Sequence, residues 1–273
     1  MKKLLLPFYL VHCLAHGQSI RYSPGTLYTG LGAYSQQFTQ SFSFLANQAV
    51  LGGITRISAG LYAEQKYGLK ELSMYMATMA IPLNRGGIGM AMQYAGHSDF
   101  NESQVSVAYG RNLGKVSVGV QFNYIMMRIA GYGNDAAVGF EVASQWQINS
   151  ALVTGIHIVN PAGGRFRNHA GEKLAALYQF GAGYEVSKQL FLSAEITKEE
   201  ERPVTVQAGI QYMALPEKLF LRTGITTATT SPYAGLGWQW KNCRADVSVR
   251  YHPQLGLSPG LLLLFYSKQK QAP

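Results

Sequence analysis

Charge is scarce in this 273-residue sequence: Asp, Glu, Lys and Arg make up 14%, against roughly a quarter in an ordinary soluble domain. A chain so poor in charge, yet 47% hydrophobic, carries too much apolar surface for a disordered protein. Long apolar runs are also missing. Beyond the N-terminus no stretch reaches the ~18 apolar residues of a transmembrane helix, which excludes a polytopic helical membrane protein. Cysteine is nearly absent, at 2, and the 6 histidines are scattered. Neither a disulfide framework nor a metal-ligand cluster follows from so few and such dispersed ligands, and no cofactor is expected. Acid is scarcer than base, leaving a net charge of +9.

What is present begins with an export signal. Lys2 and Lys3 precede an apolar stretch from Leu4 to Ala15, with Ala15 and Gly17 at −3 and −1 of a cut before Gln18. Residues 1–17 therefore read as a signal peptide. Cys13 suggests a lipid anchor, but His12 is too bulky for the position before such a cut. An exported basic chain rarely meets nucleic acid. Anionic lipid headgroups and lipopolysaccharide phosphates are its better partners.

From about residue 54 the dominant pattern has period two, the signature of half-buried strands. Val116, Val118, Val120, Phe122 and Tyr124 share one face, and Ser117, Gly119, Gln121 and Asn123 the other. Fourteen such segments follow one another, from 54–64 and 70–81 to 257–266. Each has about the 9–11 residues that a tilted strand needs to cross a bilayer. Connections after even strands are short, such as Leu83-Asn84-Arg85 and Lys241-Asn242. Those after odd strands are mostly longer, and the longest runs from Asn160 to Glu172. Outer-membrane barrels pair short periplasmic turns with longer outer loops and an even strand number. Tyr109, Trp146, Tyr184, Tyr212 and Trp240 all close even strands on the apolar face, as a periplasmic aromatic girdle requires. The expected fold is all-β: a transmembrane antiparallel barrel of about fourteen strands over 54–266. A multi-pass outer-membrane location follows, with residues 267–273 as a periplasmic tail.

Residues 18–53 do not alternate. Phe38, Phe42 and Leu45 fall at helical spacing, with Phe44 and Asn47 nearby. A helix this short cannot cross a membrane, so the segment is expected as a plug inside the barrel or across its mouth.

These residues resemble the FadL-like outer-membrane barrels. The resemblance is carried by a Gly-rich start (Gly30, Gly32), a short polar-aromatic helix and an Asn-x-Ala-x-Leu turn (Asn47, Ala49, Leu51). Gln48 stands where the family's turn usually has Pro. Within that superfamily the chain looks most like the PorV/PorQ-type proteins of Bacteroidota. Ala108-Tyr109-Gly110-Arg111, Gly119-Val120-Gln121-Phe122, Asn160-Pro161 and the Tyr251 to Gly256 stretch carry that likeness. The resemblance implies a fourteen-strand barrel with an N-terminal plug. Near PorV it implies an accessory or shuttle role around type IX secretion, with secretion-machinery or cargo proteins as partners. Near FadL it implies a transporter of small hydrophobic molecules, although the extended outer loops of fatty-acid transporters are missing here.

Several ionisable residues take the inward parity: Arg56, Glu64, Glu71, Glu141, His157, Glu185, Glu195, Arg222, Asp246, Arg250 and His252. They form either a polar conduit or a set of structural ion pairs. Burying charge requires partners, which favours the pairs. Barrel enzymes of this size use a His–Ser pair at i, i+2, and none of His97, His157, His169 and His252 has one. The chain is read as non-enzymatic. Arg165, Phe166 and Arg167 make the densest basic-aromatic patch, an expected outer-loop contact for lipopolysaccharide phosphates or a partner.

Overall fold

The computed structural model describes residues 31, 34–164, 166, 174–200, 202–228 and 230–267. The signal-peptide reading of 1–17 lies outside the described residues, as does the tail beyond Ser267. Fourteen strands follow in sequence. The first seven are β1 (Ser58–Gln65), β2 (Ser73–Leu83), β3 (Gly86–Gly96), β4 (Phe100–Asn112), β5 (Val116–Ile129), β6 (Gly133–Gln147) and β7 (Leu152–Val159). The rest are β8 (Leu177–Glu185), β9 (Leu190–Glu199), β10 (Thr205–Leu215), β11 (Leu219–Thr226), β12 (Ser231–Trp240), β13 (Cys243–His252) and β14 (Gly256–Tyr266). Each pairs antiparallel with its sequence neighbours, and β1 pairs with β14 from Ser58↔Tyr266 to Glu64↔Gly260, closing the barrel.

Closure leaves no sheet edge, the condition for crossing lipid with strands. The alternation seen in the sequence becomes two faces. Along β5, Val118, Val120, Phe122 and Tyr124 are exposed on the outer wall, while Gly119, Gln121 and Asn123 are buried inside. An apolar exterior around a polar interior is the arrangement of a membrane barrel. The molecule is a multi-pass barrel of the outer-membrane type. No helix among the described residues is long and apolar enough to cross a membrane.

The first two strands begin later than the alternation suggests. β1 starts at Ser58 rather than 54, and β2 at Ser73 rather than 70. Lys70–Leu72 form a 3-10 turn instead. Glu71 is therefore an exposed turn residue and not a lumen residue. Arg56 likewise precedes β1, at the mouth of the barrel rather than in its wall.

The N-terminal segment enters the barrel, but not as one helix. Among its described residues are an α-helical turn, Ser43–Ala46, and a 3-10 turn, Gln48–Gly53. Phe38 lies outside both. The 3.6-residue spacing of Phe38, Phe42 and Leu45 thus does not mark one helical face. Asn47 caps the 3-10 turn, its side-chain oxygen accepting from the Ala49 N–H at 3.0 Å.

Candidate functional site

A barrel of fourteen strands encloses more space than wall side chains fill, since even eight leave an interior only just packed. Inward glycines widen it further, and the plug occupies the room they leave. The Phe42 ring sits where a Cβ on Gly60 of β1 would stand, and the Phe44 ring 2.9 Å from that position on Gly89 of β3. The Tyr34 ring lies on Gly181 of β8, and the backbone of Gln48 on Gly119 of β5. Phe42 joins a buried cluster with Tyr62, Met74, Met76, Leu262 and Leu264. Phe44 joins a second with Leu51, Ile54, Ala80 and Ala91. Leu45 is half-buried between the two. Phe38 packs edge-on against Phe191 of β9, ring centroids 5.2 Å apart.

Polar contacts fix the same segment to wall carboxylates. The Tyr34 hydroxyl donates to Glu195 at 2.7 Å. Ser35 and Gln37 donate to Glu185 at 2.8 and 3.0 Å. Gln48 Nε2 donates to Glu141 at 2.7 Å. Glu141 also accepts from Asn123 at 2.7 Å and lies 2.6 Å from His157 Nε2. Asn47 Nδ2 reaches the carbonyls of Ser144 and Ile156. Three inward carboxylates thus each hold the plug.

The other inward residues fall into two groups. Arg222 and Asp246 form a buried ion pair at 2.8 Å, and Arg244 joins Asp246 at 2.9 Å. At the long-loop end, Glu64 is buried and accepts from the Tyr62 hydroxyl. Arg250 and His252 are half-buried there, and Tyr67 packs edge-on against His252. Lys66, in the neighbouring 3-10 turn, has its ammonium pKa lowered by burial and further by Arg250, while Glu64 acts in the opposite direction. Sequence reasoning missed Tyr34, Gln48 and Arg244. Only Arg244 had a readable signal, sharing the inward parity of Asp246 two residues on.

The expected outer-loop contact is corrected in one residue. Phe166 is 3% exposed, packed with Leu174 against Ile125 and Ala137 of the inner wall. Where the β7–β8 connection is described, Phe166 and Leu174 pack into the barrel mouth, which buries the aromatic residue. Arg165 and Arg167 lie outside the described residues. Tyr109, Tyr184, Tyr212 and Trp240 are exposed and Trp146 half-buried, all on the outer wall near the short-turn end.

The wall is uneven. β6 pairs with β7 only from Glu141↔Val159 to Gln147↔Val153, so its residues 133–140 rise above the last strand pair on that side. Chain from the β7–β8 connection covers this edge. The Asn160 N–H donates to Phe140 O at 2.9 Å, and Gly164 approaches Val138 O so closely that a Cβ would stand 2.6 Å from it.

The comparisons with solved structures return barrels of the same fold. A FadL homologue from Pseudomonas aeruginosa matches with a TM-score of 0.60 at 10% identity, over 88% of this chain and 95% of that one. The toluene transporter TodX from Pseudomonas putida matches at 0.64 and 9% identity, over 91% and 97%. The chain has the fold of the FadL-type barrels. No protein-family model matches the sequence, and no curated protein does.

Proposed function

We propose that this FadL-type barrel passes small hydrophobic molecules across the outer membrane, leaving sideways where the wall is low. The observation that carries this reading is the interrupted ladder above Glu141↔Val159. There a loop, rather than a hydrogen-bonded strand, separates lumen from lipid. Moving a loop costs far less than parting paired strands, because no ladder has to break. Phe166 and Leu174 give that cover an apolar inner surface. The likeness to TodX, which is described as a toluene transporter, supports the substrate class. The short-turn end is the periplasmic end in this reading, and the chain arrives there after its signal peptide is removed.

A second reading is an accessory barrel of protein secretion or surface assembly, similar to PorV and PorQ of Bacteroidota. It is favoured by how fully the plug uses the inner wall: Glu141, Glu185 and Glu195 are all taken up in holding it. Uptake of radiolabelled toluene by cells with and without the protein separates the two. Faster uptake with the protein supports transport. Equal uptake, together with a stoichiometric partner protein co-purifying from native membranes, supports the accessory role.

A further inference from the structure

A cavity of about 680 Å3 opens at the short-turn end, between the plug residues Gln37, Phe38 and Gln40 and the wall from β10 to β14. It is distinct from the low wall, which lies at the long-loop end. Its size falls within the ~300–1,000 Å3 of small-molecule pockets. A register shift between Met213 and Leu215 of β10 lies at its rim and turns the chain there.

Its charge is one-sided. Arg56, Lys218, Lys241 and Arg244 border it, against the single carboxylate of Glu217. Deeper inside the barrel Asp246 is shared between Arg222 and Arg244, so one buried carboxylate faces two guanidinium groups. Gly237 makes this arrangement fit, because a Cβ there would collide with the Asp246 carboxylate. Two guanidiniums lie on rings, Arg56 at 3.9 Å over Tyr266 and Arg244 at 4.2 Å over Phe220. Arg56 has no carboxylate partner among the described residues. Stacking uses the flat face of a guanidinium and leaves its edge N–H donors in plane, in the fork that matches a carboxylate. A concave chamber bordered mainly by cations concentrates the opposite charge.

We propose that this chamber binds a small aromatic carboxylate, its anionic end on Arg56 and its ring beside Phe220. The inference does not depend on the transport reading, which concerns the other end of the barrel.

The test is fluorescence titration of the detergent-solubilised full chain with 2-naphthoate. Saturable one-to-one binding that weakens as salt rises is expected. Arg56→Gln should weaken it about tenfold or more, the scale of a charge-assisted hydrogen bond. Arg56→Lys, which keeps the charge but not the fork, should fall between. Uncharged 2-methylnaphthalene should bind at least about tenfold more weakly than naphthoate. If Arg56→Gln does not fold, a Lys218→Gln, Lys241→Gln double variant in the exposed turns should still weaken binding about threefold. Absence of saturable binding, equal affinity for the neutral analogue, or unchanged affinity in the variants that fold would overturn the proposal. Loss of this signal with toluene uptake intact would overturn it alone.

Discussion

Glu141 ties the plug into a buried network of the wall. Its carboxylate accepts from Gln48, Asn123 and Gln121 and faces His157, all away from water. An ionised carboxylate is acceptor-only, which suits a site ringed by donors. Glu141→Gln puts an amide NH2 against those donors and leaves at least one of them unmet. Leaving a buried polar group unsatisfied costs about 1–3 kcal/mol, and more where a charge is involved. A lower thermal midpoint and faster protease cleavage within the plug are expected. Glu185 at the mouth is half-buried and also serves plug residues. There Glu185→Gln should cost under about 1.5 kcal/mol, the worth of an ordinary hydrogen bond. Equal losses in the two variants would show that burial of the network is not what matters. Little of this was legible in the sequence. Glu141, His157 and Glu195 have the inward parity and are buried in the structure, but nothing in the local sequence marks Gln48 or Tyr34 as their partners. Those contacts join residues about 90 to 160 apart in the chain.

At the scale of elements, strands were readable and the segments enclosed by them were not. A strand of the wall meets lipid on one side and lumen on the other, so its composition alternates. The plug meets wall all around, and its apolar positions follow the glycine seats on that wall rather than a helical repeat. Phe42 and Phe44, two residues apart, therefore enter different clusters. Phe166 misleads for the same reason: in a polar, glycine-rich stretch it looks solvated until the inner wall it packs on is known. Phe166→Ala removes an aromatic ring from a buried cluster, a change worth about 3–5 kcal/mol in a well-packed core. The expected outcome is local. Protease sites within 160–176 should become accessible on intact barrels while the global melting temperature stays nearly unchanged. Coincident loss of both would show that this loop is part of the barrel's core and not a movable cover. On the outer wall, Val120→Arg places a charge against lipid and should cost about 2–4 kcal/mol in a membrane folding titration.

For the whole molecule, the question is what the closed and plugged lumen does to conduction. The wall is continuous from β1 to β14, and the described plug residues fill it from Phe42 and Phe44 on one side to Tyr34 on the other. Plug residues seated on the wall in this way narrow the axial path for ions. Without the plug, the inward glycines and the carboxylates Glu141, Glu185 and Glu195 would face water, giving a polar pore of the kind open barrels have. Planar-bilayer recordings of the full mature chain should therefore be silent or nearly so. A version lacking residues 18–53 should conduct. Its channels should prefer cations where those three carboxylates are exposed, and Glu141→Gln in the deletion background should reduce that preference. Sidedness has a check of its own. With Cys243 replaced by Ser, a Cys at Asn168 should label from outside intact cells and one at Asn149 should not. Large open channels from the intact protein would reject the plug as a seal. They would also remove the reason for an exit through the wall, because a solute that can cross along the axis has no need of one.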